Sequence, residues 1–424
     1  LQKENREYPD LKLSVQEVKL DCGLKLVLIP RPNFNEKQVM ISTNFGSTVS
    51  SIQTANSQID YPFGVAHFLE HKIFEMGDGK DALEDFTALG AEANAFTTYQ
   101  QTVYYFSTVN DIDKGVKQLI TLVREWHMTQ ESVDEERPII QNEILMYEDD
   151  SDYQMNRALL ANLYPHTPLS EDIAGNNQTI EQISLANLTS AHDYFYQLNH
   201  LTMVAVGNFD VDRVVNEVDN FVKEDATRAE VSVLPLQMGS VVKSCRFSMD
   251  VMQPKLGLGF RVVDDLEGVS FSYYKLGLRL FLSMLLGWTS ETYQNWYDKG
   301  LIDYSFDFQL EVTSQFKFVT ITFDTDQPIA MTGKVKKLFK NFANNTDFSE
   351  EHLTLLKKEM YGDFIESLDS IDQLANQVTL ALADGRDYLE TGELIRHISL
   401  ADVQKIADHF VSNMEATTVT IFPK

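Results

Sequence analysis

Ile183-Ser184-Leu185-Ala186-Asn187-Leu188 returns later in the chain as Ile398-Ser399-Leu400-Ala401-Asp402-Val403, an offset of 215 residues. The same offset pairs Asp193 with Asp408, Phe195 with Phe410, Thr202 with Thr417 and Val204 with Val419. In each copy a serine stands at the N-cap of an expected helix. The helix then leads into a β-branched strand, Thr202 to Val206 and Thr417 to Phe422. Two unrelated helix–strand units with a common capping pattern could share the opening residues. They would not readily keep register through the strand that follows. An offset of half the 424-residue length therefore predicts two domains of one fold.

Residues 226–240 read as the linker, since 225–240 lack helical periodicity and carry Pro235 and Gly239. The expected domains are 1–225 and 241–424. Each half sets paired strands beside paired helices. The fold class is thus α+β: two homologous sandwich domains, each a mostly antiparallel sheet with helices packed on one face. In the first half, strands are expected at 24–30, 38–44, 93–98 and 102–109, and helices at 63–76, 81–89, 111–127 and within 132–149. Gly90 suits the C-cap of the second helix.

Composition narrows the partners. The formal net charge is −28 and the pI about 4.6, so the chain repels polyanions, and neither nucleic acid nor an anionic membrane is expected. Solubility explains such a charge as simply as a preference for basic peptides does. Cys22 and Cys245 are too few for a disulfide framework or a cysteine metal site, and are expected as buried, reduced thiols. The first residues lack a signal pattern and no apolar run reaches about 18 residues, so a cytoplasmic location is expected.

His67-Phe68-Leu69-Glu70-His71 lies within the expected helix 63–76. Positions i and i+4 share a helix face, so both imidazoles can reach one ion. Glu70 flanks that face, where a general base is wanted. A helix with two solvated histidines would show the same five residues. A catalytic zinc site needs a third ligand and an open position. Glu143, in Ile139-Ile140-Gln141-Asn142-Glu143-Ile144-Leu145, is the candidate: one carboxylate among apolar residues on an expected buried helix. Glu136 precedes it by two helical turns and suits a supporting role behind a ligand imidazole. Pro138 stands between them: inside a helix it would kink the chain, and as the first helical residue it would be comfortable.

These residues resemble the pitrilysin/insulinase family of zinc metallopeptidases. Gly90-Ala91-Glu92-Ala93-Asn94-Ala95-Phe96-Thr97 looks like that family's active-site edge strand and Thr102-Val103-Tyr104 like its partner. Val206-Gly207-Asn208 looks like the end of the strand closing the first domain. The resemblance implies one Zn2+ per chain held by His67, His71 and Glu143, with Glu70 as base and Glu136 behind a ligand. It also implies two domains facing each other as a clamshell. Unstructured peptide would be bound as an added strand along Asn94, Ala95, Phe96 and Thr97. The family's second domain carries an Arg and a Tyr seven apart that grip substrate. Here Tyr304 fills the second place, while Tyr297 stands where Arg is expected. Short-chain members pair with a second subunit, and the half-missing grip favours a heterodimer with a homologous chain over a homodimer. Two alternatives remain at this stage: a non-catalytic peptide-binding or assembly subunit of the same fold, and a processing peptidase dedicated to one precursor.

Overall fold

The protein is described here by a computed structural model covering residues 1–76, 81–222 and 231–424. Residues 225–230, where the first expected domain ends and the linker begins, lie outside the described residues. Beyond them, Ser232–Val233 forms a short strand antiparallel to Ser51–Gln53.

The chain divides into two compact units. The first comprises Leu1–Ile144, Asp172–Pro235 and Ser367–Leu389; the second comprises Leu145–Glu171, Leu236–Glu366 and Glu390–Lys424. Both are α+β. The sheet of the first unit runs Gln2–Tyr8, Leu13–Lys19, Lys25–Pro30, Leu201–Gly207, Lys37–Thr43, Thr102–Thr108, Ala91–Thr97. Every neighbouring pair is antiparallel except Lys25–Pro30 with Leu201–Gly207. The sheet of the second unit runs Ser244–Met249, Glu415–Pro423, Lys255–Arg261, Lys317–Asp324, Asp307–Val312, again with one parallel pair, the first.

The repeat is visible at every level. Ser184 caps Leu185–Phe195 and Ser399 caps Leu400–Asn413, each in a reciprocal capping box, with Asn187 and Asp402 respectively. The strand after each helix takes the same place in its sheet. Leu201–Gly207 and Glu415–Pro423 each lie between one parallel and one antiparallel neighbour.

Alternation along the central strands explains the layers. In Lys37–Thr43, Val39 and Ile41 enter the main core of the first unit. Gln38 and Met40 point the other way and meet the helix Ile371–Leu382. There the Thr379 hydroxyl contacts Met40 Sδ at 3.3 Å, and Gln38 Nε2 lies 3.4 Å from Asp372 Oδ1. The second unit repeats the device. Phe260 packs with Phe339 and Phe410, and on the opposite face of that strand Gly257 and Gly259 meet the helix Ser151–Leu163. Among the described residues, each sheet thus gathers its helices mainly on one face and receives a single helix on the other. That single helix comes from the other half of the chain.

Cys22 and Cys245 form no disulfide among the described residues, and both are half-buried rather than buried. Among the described residues no helix is long and apolar enough to cross a membrane.

Candidate metal centre

The helix Val65–Ile73 buries Val65, Ala66, Phe68, Leu69, Lys72 and Ile73. This apolar stripe docks it in the core and leaves His67, Glu70 and His71 along the remaining face. Its N-cap is Gly64 at φ +90, where a Cβ would come within 2.4 Å of the Ala174 carbonyl oxygen. Only glycine accepts both that backbone and that approach. The helix entry is thereby pinned.

The helix Gln130–Met146 brings the acids. Glu143 Oε1 lies 3.7 Å from His67 Nε2, and its Oε2 3.5 Å from His71 Nε2. Ligand atoms of His67, His71 and Glu143 all fall within 4.8 Å of one another, the one such group of His, Cys, Asp or Glu among the described residues. Pro138 sits inside this helix, yet Glu136 and Glu143 both face the histidines. Glu136 Oε1 accepts a hydrogen bond from His71 Nδ1 at 3.0 Å. Arg137 braces the same turn, donating to the carbonyls of Ile180 and Ile183.

One expectation is corrected. The segment around Glu143 is not a buried helix face: Ile139 is 55% and Leu145 46% exposed, and only Ile140 is sequestered. The helix docks through Ser132, Val133 and Ile140, with Ile144 half-buried against the core and Leu145 facing outward. The Glu143 side chain itself is 38% exposed.

Electrostatics sort the groups. Burial drives the His67 imidazole down to a pKa of about 3, with help from the neighbouring His71, so it is neutral with a free lone pair. Its Nδ1 is buried and has no hydrogen-bond partner among the described residues. Burial also pulls His71 down, but the hydrogen bond and charge of Glu136, with Glu70 and Glu143, outweigh it and the net shift is upward. Burial raises Glu136, and His71 and Lys72 more than reverse this, leaving it below the usual carboxylate range. Glu70 is raised, chiefly by burial, although the Thr97 hydroxyl donates to its Oε2 at 2.5 Å.

This donor set fits zinc. A tetrahedral ion holds ligand atoms roughly 3.3 Å apart when each lies about 2 Å away, close to the spacings around Glu143. Two imidazoles and one carboxylate are a hydrolytic zinc set, and the excess of negative charge nearby favours a dication.

The remaining expected residues divide between the units. Ala91–Thr97 is the outermost strand of its sheet, paired among the described residues only with Thr102–Thr108. On it Asn94 is exposed, Ala95 packs on the core, and Phe96 approaches Tyr105 with ring centroids 6.2 Å apart. Tyr304, 91% exposed, belongs to the second unit. So does Tyr297, stacked on Tyr293. The sequence reading passes over two contacts. One is the Thr97 hydrogen bond to Glu70. The other is Lys72, whose place on the buried stripe of the helix was the available signal.

Comparison with known proteins agrees with this geometry. The family description "Insulinase (Peptidase family M16)" matches residues 57–177, and "Peptidase M16 inactive domain" matches 182–360. The chain is 28% identical over 425 residues to YmfH of Bacillus subtilis (strain 168), described as an uncharacterized zinc protease, covering 99% of each. It is similar to a crystal structure of an M16-like peptidase from Alicyclobacillus acidocaldarius, at TM-score 0.89 and 26% identity, over 99% of this chain and 100% of that one. It also shares the fold of pitrilysin, at TM-score 0.72 and 16% identity, with all of this chain spanning 46% of that one. The spacing of His67, Glu70 and His71 and these matches agree: the chain belongs to the insulinase, or M16, family of peptidases.

Proposed function

We propose that the chain is a zinc-dependent endopeptidase for unstructured peptides, with His67, His71 and Glu143 as the ligands of one zinc ion and Glu70 as the general base. The observation that carries this reading is the convergence of the three ligand side chains within 4.8 Å, beside a carboxylate whose pKa burial has raised. When bound, zinc supplies Lewis acidity, polarising a peptide carbonyl and making water at the site a stronger acid. Glu70 takes the proton of the attacking water and delivers it to the departing amine nitrogen. Its raised pKa suits it to both halves of that transfer. Glu136 accepts from His71 Nδ1, which fixes the tautomer and leaves the Nε2 lone pair to the metal.

Asn94, Ala95, Phe96 and Thr97 lie on a strand with one unpaired edge, and there substrate adds as a further strand. Main-chain hydrogen bonds bind the peptide, and side-chain demands are loose. Tyr304 donates to substrate backbone. A homologous chain completes the enzyme by supplying the Arg that Tyr297 replaces. The deciding experiment measures zinc content and peptide cleavage together, for wild type and Glu70→Gln. Wild type without zinc, or a Glu70→Gln variant with full turnover, removes the reading.

A further inference from the structure

Lys72 is a charged side chain in the wrong place for a bystander. It follows ligand His71 directly, sits on the buried stripe of the helix Val65–Ile73, and is only 7% exposed. Lysine is almost never that buried unless paired. Its ammonium has two partners. One is Glu75 Oε2, one helical turn on; the other is Glu136 Oε2, at 3.5 Å. The remaining oxygen of Glu136 accepts from His71 Nδ1 at 3.0 Å.

We propose that Lys72 is a positioning residue of the zinc site: it clamps Glu136 from behind, and through Glu136 sets the tautomer and ring orientation of His71. The inference rests on the zinc reading above. A carboxylate bonded through one oxygen alone can rotate about its last torsion, and that torsion is soft. Glu136 is held through both oxygens, by an imidazole N–H on one side and an ammonium on the other. Its plane is fixed, and with it the line along which it receives His71 Nδ1. The ammonium also offsets one of three carboxylates crowded about the histidines, Glu70, Glu136 and Glu143. Without it Glu136 would be a half-buried anion with a single partner, free to turn away. Glu75, 29% exposed at its side chain, anchors the lysine from the other end.

A lysine that merely fills core volume makes a different prediction from one that acts through Glu136. A double-mutant cycle separates them, because residues in one network lose additivity. The measurement is the zinc dissociation constant of the full chain, by competition with a chromophoric chelator, for wild type, Lys72→Met, Lys72→Gln, Glu136→Gln and Lys72→Met/Glu136→Gln. The thermal midpoint of each metal-free protein and the visible spectrum of each cobalt-loaded protein are recorded alongside. Partners behind a metal ligand typically contribute 10–100-fold in affinity. The expected result is a loss of that order for Lys72→Met and for Glu136→Gln, little further loss in the double variant, and altered cobalt bands in both singles. Lys72→Gln, close in shape and uncharged, shows the same direction of change and carries the test if the methionine variant does not fold. Unchanged zinc affinity in the folded Lys72 variants overturns the inference alone. So do losses that multiply in the double variant. Wild-type protein that takes up no zinc overturns the zinc reading and the inference with it.

Discussion

The hydroxyl of Thr97, at the end of the outermost strand of its sheet, donates to Glu70 Oε2 at 2.5 Å. One residue thus joins the strand expected to receive substrate to the carboxylate expected to move the proton. Its position is well fixed. Thr97 pairs with Thr102 across the hairpin, Thr98 N–H donates to the Gln101 carbonyl at 2.8 Å, and Thr102 is tied to the Phe45 carbonyl. Thr97→Val keeps the shape and deletes the donor. A hydrogen bond to a charged group contributes about 1.5–3 kcal/mol, so kcat on a fluorogenic peptide should fall roughly 10–100-fold, with zinc content unchanged. Thr97→Ser should recover most of it. A valine variant with wild-type turnover would show that Glu70 needs no such guide.

Zinc analysis should divide the site into two classes. His67→Ala, His71→Ala and Glu143→Gln are expected to lose the metal, from about one ion per chain in wild type. Glu70→Gln should retain it and lose at least about a hundredfold of peptidase activity, in the range general bases contribute. Full zinc in Glu143→Gln would mean that the third ligand lies elsewhere.

A glycine tests the sheet–helix contact in the second unit. A Cβ on Gly257 would lie 2.3 Å from Met155 Sδ and 3.0 Å from Leu159 Cδ1. Gly257→Val should therefore destabilise the protein by about 1–3 kcal/mol through overpacking, read as a lower urea midpoint. Adding Met155→Ala should return part of the loss. If the valine chain unfolds at the wild-type midpoint, the helix Ser151–Leu163 is not seated against that strand.

Acid should weaken the first unit through His192. Its ring is buried between Trp126 and Tyr196, and its Nε2–H donates to the Val123 carbonyl at 3.0 Å. Burial lowers its pKa below the ordinary 6.5. The unfolded chain therefore binds a proton first as pH falls. The stabilising contribution is complete above about pH 6.5 and declines from there down to the lowered folded value. His192→Gln should be less stable than wild type at pH 8 and show a shallower decline below pH 6.5 in denaturant titrations. Parallel curves for the two proteins would assign the acid sensitivity to other groups.

Activity should depend on a partner. The purified chain alone is expected to cleave peptides weakly, and to gain activity on mixing with a homologous chain encoded beside it that carries Arg where this chain has Tyr297. The planar guanidinium fork binds a carbonyl or carboxylate in a way that a phenol does not reproduce. Full activity of the isolated chain, unchanged by the homologue, would favour a homodimer in which Tyr297 and Tyr304 suffice.

Local order in this protein was written in short sequence patterns. The helix carrying His67 and His71, the paired capping boxes at Ser184 and Ser399, and the hairpin around Thr98 each follow from neighbours a few residues apart. Periodicity and capping are local physics, so one sequence suffices to read them. The doubling of the fold was legible for the same reason, since a repeat preserves spacing. What the tertiary structure alone decided depends on residues far apart in the chain. The helices Ser151–Leu163 and Ile371–Leu382 are each taken into the unit built by the other half of the chain. No periodicity announces this, because an amphipathic helix specifies an apolar stripe and not the sheet that will cover it. The same holds within the site. Glu136 and Glu143 share a helix with Pro138, and whether both reach the histidines depends on how that helix is docked through Ser132, Val133 and Ile140. Spacing puts Lys72 on the buried stripe of its helix, but only its contacts with Glu136 and Glu75 show that the lysine belongs to the site.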